Sequence, residues 1–456
     1  MTAATAEAPP TSWRELVGSG RAKLTLGVVL VEFAAAIQTS VVASIMPAVA
    51  HDLGGLQFYG LVFSGYSLAG LAATPAAGQL ADRHGPGRPF LLMLAVFCLG
   101  TLLSGLAPSM PLLAAARIVQ GFGGGAIYTI AYGVVAKAYP EAGRARMLAL
   151  LSAVWVVPGL VGPGFGAVVA ATIGWRWAFL ALLPVAILAG WLGYPGMRPL
   201  PGSGDAGALN LRWPLLLAIG TGLLVSGLAE PGPAGLLVAA AGLAVFVPAL
   251  LRVLPAGTFR LRRGLPAVIA SGLLSNVSFF VGLYFIPLLL TGVAHRSLLE
   301  AGLAVAIVNL TWTLGSYWQT RTVGSIGKTF LVGAANAAVT LAMAAIGAVA
   351  LGVPALFAYA AWAIAGAGMG VVFNCLYLLA VERAPVAGET MAVAQLQTTN
   401  RLGIALGSGL GGASVAVAAA LHQPLQVGLL GTFGLATVAA AGSALLAFRL
   451  DEREPA

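Results

Sequence analysis

Charge is what this chain has least of. Its 456 residues hold 23 Lys and Arg and 14 Asp and Glu. That is 8% charged, where a soluble globular domain carries about 25%. Lysine is nearly missing: Lys23, Lys137 and Lys328 stand against 20 arginines. The two cysteines, Cys98 and Cys375, both lie in apolar runs, which argues against a disulfide framework. The four histidines (His51, His84, His295 and His422) sit in loops or at the ends of apolar runs with no metal-ligand spacing, so no metal is expected. There is no phosphate-cradling loop ending in Gly-Lys-Ser/Thr, so nucleotide drive is not expected. No catalytic constellation is present either, so neither an enzyme nor a cofactor is expected. What remains is 59% hydrophobic and rich in Ala and Gly, the composition of a polytopic α-helical membrane protein. The net charge of +9 does not point to nucleic acid, because the placement of the basic residues explains it.

Fourteen apolar stretches are long enough to span a bilayer, which takes about 20 residues. They start near Leu24, Phe58, Phe90, Pro111, Met147, Trp177, Trp213, Gly235, Pro266, Leu298, Thr329, Pro354, Thr390 and Leu425. The first is too long for a secretion signal and lacks a convincing cleavage site, so the tail 1–23 is expected to be retained. With the N-terminus inside, 19 of the 23 basic residues fall on inside segments, Arg14 and Arg453 among them. Only Arg176 and Arg296 fall outside, while Arg117 and Arg401 lie within spans. That bias supports the count and puts both termini in the cytoplasm. Trp175 and Trp177 are expected in the outer interfacial belt. The arginine excess and the Ala/Gly bias hint at a bacterial inner membrane.

An internal repeat orders these spans. Shifted by 245 residues, 116–166 aligns without gaps on 361–411. Gly121, Gly123 and Gly125 fall on Gly366, Gly368 and Gly370, Tyr132 on Tyr377, Pro140 on Pro385 and Ala142-Gly143 on Ala387-Gly388. Gly162, Gly164 and Gly166 fall on Gly407, Gly409 and Gly411. Segments four and five thus repeat as twelve and thirteen. The expected plan is a cytoplasmic tail 1–23, a six-helix half 24–197, a linker with inserted helices seven and eight 198–265, a second six-helix half 266–448, and a tail 449–456. Parallel repeats of this kind are a transporter plan, with substrate held between the halves near the midplane.

Three motifs carry a resemblance. Between segments two and three the chain reads Gly78-Gln-Leu-Ala-Asp82-Arg83-His-Gly85-Pro-Gly-Arg88. It reads as a short charged loop at a membrane surface, with Asp82 able to face a neighbouring helix N-terminus. It resembles the loop signature Gly-x-x-x-Asp-Arg-x-Gly of the major facilitator superfamily. Residues 320–328 look like a degraded copy, with Gly324 in place of the acid. In segment four, Arg117-Ile-Val-Gln120-Gly121-Phe-Gly123 resembles the Arg-x-x-Gln-Gly-x-Gly signature of proton-coupled members. In segment five, Pro158-Gly159-Leu-Val-Gly162-Pro163-Gly164-Phe-Gly166 is similar to the signature of exporters, with Ala167 replacing its last glycine. Glycines at this spacing make a flat packing face, and the two prolines bend the helix. With fourteen spans, the chain resembles the 14-helix drug:proton antiporters.

The resemblance implies alternating access powered by a proton gradient. It gives Arg117 a part in proton coupling; a structural arginine bonded to backbone carbonyls is the alternative. Those antiporters often carry an aspartate nine residues before the proline that ends helix 1, where this chain has Gln38. Either proton carriage has passed to Glu32, or the protein couples differently. Glu32 is the only acid well inside a span, about 13 Å in from Lys23. A carboxylate there suits reversible protonation or a cationic substrate, or else lies solvated near the inner mouth. Gln38, about 22 Å in, is level with Arg117 and within reach of it. Arg401 could line the cavity, pair with Glu32, or hold helix thirteen against the Asp82 loop. The candidate substrate cavity comprises Gln38, Gln120, Tyr128, Trp155, Asn276, Trp312, Asn374, Asn400 and Arg401, sparse polar groups among aromatics.

The expectation is therefore an all-α major facilitator fold exporting lipophilic compounds, cations among them. Protons, a small substrate and membrane lipids are its partners, nucleic acid is not, and a monomer is expected. Lipid export is the alternative, and a non-transporting membrane sensor a more distant one.

Overall fold

The computed structural model describes residues 21–202, 211–385 and 388–450. The tail with Arg14, the linker stretch 203–210, Ala387 and the last residues with Arg453 lie outside the described residues. All the described elements are helices, and kinked spans counted once make fourteen. They are α1 (Ala22–Leu53), α2 (Tyr59–His84), α3 (Gly87–Gly105), α4 (Met110–Ala138), α5 (Glu141–Val154 and Val156–Thr172), α6 (Trp175–Leu180 and Leu182–Met197) and α7 (Arg212–Ala229). Then follow α8 (Pro233–Val253), α9 (Leu265–Gly292), α10 (Leu298–Ile326), α11 (Lys328–Val349), α12 (Leu356–Glu382), α13 (Glu389–Ala420) and α14 (Leu425–Leu446).

Thirteen of these are long and apolar enough to cross a membrane. The exception is α2, 26 residues long but carrying Ser, Tyr, Gln and Asp. It packs against α4, α13 and α7, so it needs less apolar surface than a lipid-facing helix.

Two helices break where proline dictates. Pro158 has no N–H to offer Val154, and α5 is interrupted at Trp155. Pro184 likewise leaves Leu180 unserved, and α6 is interrupted at Ala181. Pro163, also expected to bend α5, stays inside its second piece.

The Asp82 segment corrects a sequence-based expectation. It is not a loop: α2 runs through Asp82 and Arg83 to His84, because nothing before Gly85 stops it. The turn is Gly85-Pro86 alone. Gly85 has φ 76°, and a Cβ there would lie 2.6 Å from the Leu200 carbonyl oxygen. Gly327 ends α10 in the same way, with φ 87°. Trp177 is exposed, but Trp175 is buried and donates to Asp52 at 2.9 Å.

The repeat reappears as contacts. A Cβ on Gly121 would sit 2.1 Å from the Tyr66 carbonyl oxygen, and one on Gly125 would sit 2.5 Å from the Gly70 Cα. In the last six helices, a Cβ on Gly370 would collide with the Trp312 carbonyl oxygen and one on Gly366 with the Thr311 hydroxyl just as closely. So α4 lies on α2 as α12 lies on α10, backbone to backbone. Gly123 faces Phe97 of α3, and Gly368 faces Ala335 of α11. Helices in lipid gain little from apolar burial against one another, so close van der Waals approach must hold them.

The first and last six helices meet through α2–α13 and α5–α10. The contacts run from mid-helix toward the end that carries Asp52. Gly60 stacks on Gly412, the Tyr59 hydroxyl donates to the Tyr284 carbonyl at 2.9 Å, and Phe63 stacks on Tyr284 with centroids 3.9 Å apart. On the other seam, Asn309 donates to the Gly159 carbonyl at 3.1 Å, and Gly302 faces the Pro163 carbonyl. The inserted α7 covers the α2–α13 seam, Val225 packing on Gly409 and Gly222 facing Leu68. It is clamped to α8 by Gly220, Gly227 and Gly242, each against backbone of the other helix.

Gly121→Val should therefore cost about 1–3 kcal/mol or more by overpacking, seen as a lower melting temperature and loss of a monodisperse peak in detergent. Gly133, with nothing within 4 Å of a Cβ, should accept valine with no such loss.

Candidate functional site

Three polar constellations lie in the membrane-embedded centre. The first is built on Arg117 of α4, only 2% exposed. Its Nε donates to the Val62 carbonyl at 3.3 Å and its Nη1 to Gln120 Oε1 at 2.5 Å, one helical turn away. With its amide turned to satisfy both neighbours, Gln38 accepts from Arg117 Nη1 and Nη2 at 2.7 and 3.0 Å, and donates to the Tyr66 hydroxyl at 3.0 Å. Gln120 in turn donates to Thr101 at 2.9 Å. The guanidinium lies 4.2 Å from the Tyr66 ring centroid. This knot ties α1, α2, α3 and α4 together. Its partners are neutral, and it leaves Gln38 and Gln120 fully buried rather than lining an open cavity. Helical rise alone brought Gln38 level with Arg117; nothing in the sequence pointed to Thr101.

The second constellation is Glu32 on α1, 1% exposed. The Trp155 Nε1 donates to its Oε1 at 2.5 Å and the Tyr132 hydroxyl at 3.5 Å. Tyr132 packs against Tyr128 with centroids 4.6 Å apart. No cation is paired with this carboxylate among the described residues. Glu32 is six residues before Gln38, about 9 Å along α1, so it belongs to a separate cluster from Arg117. Trp155 stands at the interruption of α5. The proline that breaks the helix thus also sets the indole against the acid.

The third is Arg401 on α13. Its backbone carbonyl accepts from Ser67 of α2 at 2.8 Å. Its side chain crosses to the groove between α2 and α4, where Gly70 leaves room for it, and its guanidinium lies 5.7 Å from the Tyr128 ring centroid. It forms no ion pair with Glu32, so the pairing weighed from the sequence is not made. One residue earlier, Asn400 donates to Asn276 Oδ1 at 3.3 Å. Asn276 borders a cleft with Met369, Phe373, Leu376, Tyr377 and Gln397. Trp312 packs between Phe279 and Phe373, and Asn374 is half-buried on the same helix as Phe373.

At the end of the bundle that carries Asp82, that residue pairs with Lys137, the last basic residue of α4, at 2.9 Å. Lys137 stands at a helix C-terminus, where the helix dipole favours a cation. Lys328 and Glu382 pair across the matching ends of α11 and α12. Lys137 and Glu382 occupy equivalent places in the repeat with opposite charge. The repeat could have revealed that from sequence; the contact could not. Arg88 follows the Gly85 turn in the first turn of α3. The glycine face of α5 packs closely, with Gly159 on Asn309, Gly162 on Ser40 and Gly166 on Ser44. Pro158 is buried in the same face.

The sequence profile described as Major Facilitator Superfamily matches residues 28–408. A "Probable multidrug-efflux transporter" of Mycobacterium tuberculosis strain H37Rv is 31% identical over 482 residues, covering 97% of each chain. "Multidrug resistance protein 3" of Bacillus subtilis is 32% identical over 166 residues, 36% of this chain and 32% of that one. Among solved structures, an inward-facing, unoccupied bacterial homolog of the human lysosomal transporter Spinster superposes with a TM-score of 0.67 at 16% identity, covering 95% of this chain and 98% of that one. The D-xylose–proton symporter gives the same score, identity and coverage. The profile and the relative matched over 97% of each chain make the conclusion plain: the chain belongs to the major facilitator superfamily, is a transporter rather than an enzyme, and resembles the 14-helix drug:proton antiporters.

Proposed function

We propose that this protein is a proton-coupled exporter of lipophilic compounds, cations among them, in a bacterial inner membrane with both termini in the cytoplasm. The observation that carries the reading is Glu32: a buried carboxylate held by two neutral donors, with no cation paired to it among the described residues. Holding a charge there costs several kcal/mol, and a proton removes that cost. Moving a two-state equilibrium from 1:99 to 99:1 takes about 5.5 kcal/mol. Taking up or giving up one proton at Glu32 is on that scale. A cationic substrate would compete with the proton for the same carboxylate, which is the requirement for antiport.

The rest of the cycle follows from the packing. With the termini inside, the closed Asp52 end is the outer face. Helices 24–197 and 266–448 act as two rocking halves, with residues 198–265 as linker and inserted pair. The α5 glycine face, running on α1 and α10, is the sliding surface. Arg117 holds four helices of the first half in register, so that Glu32 moves with them as a unit. The Asp82–Lys137 pair, with Arg83 and Arg88 nearby in sequence, ties α2 to α4 at the cytoplasmic rim and steadies one end state. Lipid export is less well supported, because α7 covers one seam between the halves and Asn309 and Gly302 close the other.

In liposomes with an internal pH dye, lipophilic cations should drive proton flux through wild type, and Glu32→Gln should lower it at least tenfold. Flux that survives in the variant would move the proton carrier elsewhere. Absence of proton flux with any lipophilic compound in wild type would sink the antiport reading itself. Asp82→Asn should cut transport severalfold while changing stability by less than about 1 kcal/mol, since the ion pair is half exposed. Wild-type transport rates in that variant would remove the rim pair from the mechanism.

A further inference from the structure

The reading above gives no task to Arg401. Its environment is unlike that of the other buried arginine. Arg117 is held by Gln38, Gln120 and the Val62 carbonyl. The Arg401 guanidinium has no hydrogen bond or ion pair with any described residue; it faces the Tyr128 ring, 5.7 Å from its centroid, and only its backbone carbonyl accepts a hydrogen bond from a side chain. A membrane-embedded cation without a charged partner is expensive and calls for a counter-ion. Arg401 is not sealed in: it keeps partial exposure, and it reaches from α13 in the last six helices to α2 and α4 in the first six. It therefore sits in the space between the two groups, where an exported compound must pass.

Across the Tyr128–Tyr132 pair from it stands Glu32, also without a charged partner. Two unlike charges that fail to meet, separated by two phenols packed at a tilt of 31°, match a molecule with the opposite charges at its ends and an aromatic or otherwise flat body between. We infer that Arg401 is an anion-binding subsite and that the exported compounds are amphoteric, with an acidic group docking on Arg401 and a basic group on Glu32. The guanidinium offers a planar fork of donors that suits a carboxylate bidentately. The basic group replaces the Trp155 and Tyr132 donors at Glu32 and rests on their ring faces. Met369, Phe373 and Leu376 line a narrow apolar cleft with Gln397, one helical turn before Arg401 on α13. Antiport is preserved, because the basic end still displaces the proton from Glu32 while the acidic end adds affinity without touching the coupling site.

This inference rests on the export reading, and its test separates the two. Three compounds are made on one aromatic body: a tertiary amine alone, the same amine with a carboxylate at the far end, and the methyl ester of that acid. Binding to purified full-length protein is measured by calorimetry, and uptake into inside-out proteoliposomes is measured in parallel. Wild type should bind and transport the amino acid form about tenfold or more better than its ester, as loss of a charge-assisted pair predicts. Arg401→Gln should lose that preference and leave the ester and the simple amine unchanged, while Arg401→Lys should keep part of it. Equal handling of acid and ester by wild type would overturn the inference even if Arg401→Gln fails to fold. A preference that persists in Arg401→Gln, or an equal loss for all three compounds, would overturn it as well. A binding preference with no transport of any compound would instead overturn export and leave the subsite standing.

Discussion

Hydrocarbon offers no hydrogen bonds, and that single constraint orders this molecule. Backbone groups are satisfied inside helices. Side chains that could pair with water elsewhere must pair here with each other or bear a cost. The helices cannot rely on apolar burial to find their neighbours, so they approach through glycine until backbones touch. Gly121 and Gly125 bring α4 onto α2, and Gly366 and Gly370 bring α12 onto α10. Once α2 and α4 are that close, Val62, Tyr66 and Arg117 are brought together, and the arginine is neutralised by dipoles rather than by an acid. The Arg117 knot is a product of the glycine contact as much as of the arginine.

The same constraint separates structural polar groups from those free to act. Arg117 has its hydrogen-bonding needs met, which suits a group that holds helices. Glu32 and Arg401 lack charged partners, which suits groups whose partners come and go: a proton, or the ends of a substrate. The prolines of α5 serve both ends of this logic. The missing N–H of Pro158 interrupts the helix at Trp155, and the interruption turns the indole toward Glu32. Prolines that look like simple bends in the sequence therefore also build the acid's environment.

The inserted pair has a place of its own. α7 lies along the seam where α2 meets α13, and α8 backs it through three glycines. A seam covered in this way is poorly suited to lateral entry from the bilayer. An access route through the bundle end that carries Asp82 is left, the end away from the tight Gly60–Gly412 and Tyr59–Tyr284 contacts.

Several features were legible in the sequence because they depend on local chemistry or regular geometry. Thirteen of the fourteen spans follow from apolar length, and the paired helices from a repeat of 245 residues. The closeness of Gln38 to Arg117 follows from helical rise. Other features needed the folded chain, because they depend on which helices become neighbours. Asp82 reads as a loop residue beside glycines, yet helix continues until Gly85 adopts a positive φ. Its partner Lys137 lies 55 residues away. The composition around Glu32 says that an acid is buried, but only the break in α5 says that Trp155 holds it. Arg401 and Glu32 are opposite charges in one membrane, and sequence alone leaves their pairing open as one of three uses of the arginine. Tertiary structure keeps them on either side of two tyrosines, because Arg401 is drawn into the space that Gly70 leaves between α2 and α4. The sequence by itself determined the kind of molecule, since apolar length, charge bias and repeat are properties of the chain. Only the packing of helices decided which polar groups are satisfied and which are left without a charged partner, since a contact between distant segments has no local signature.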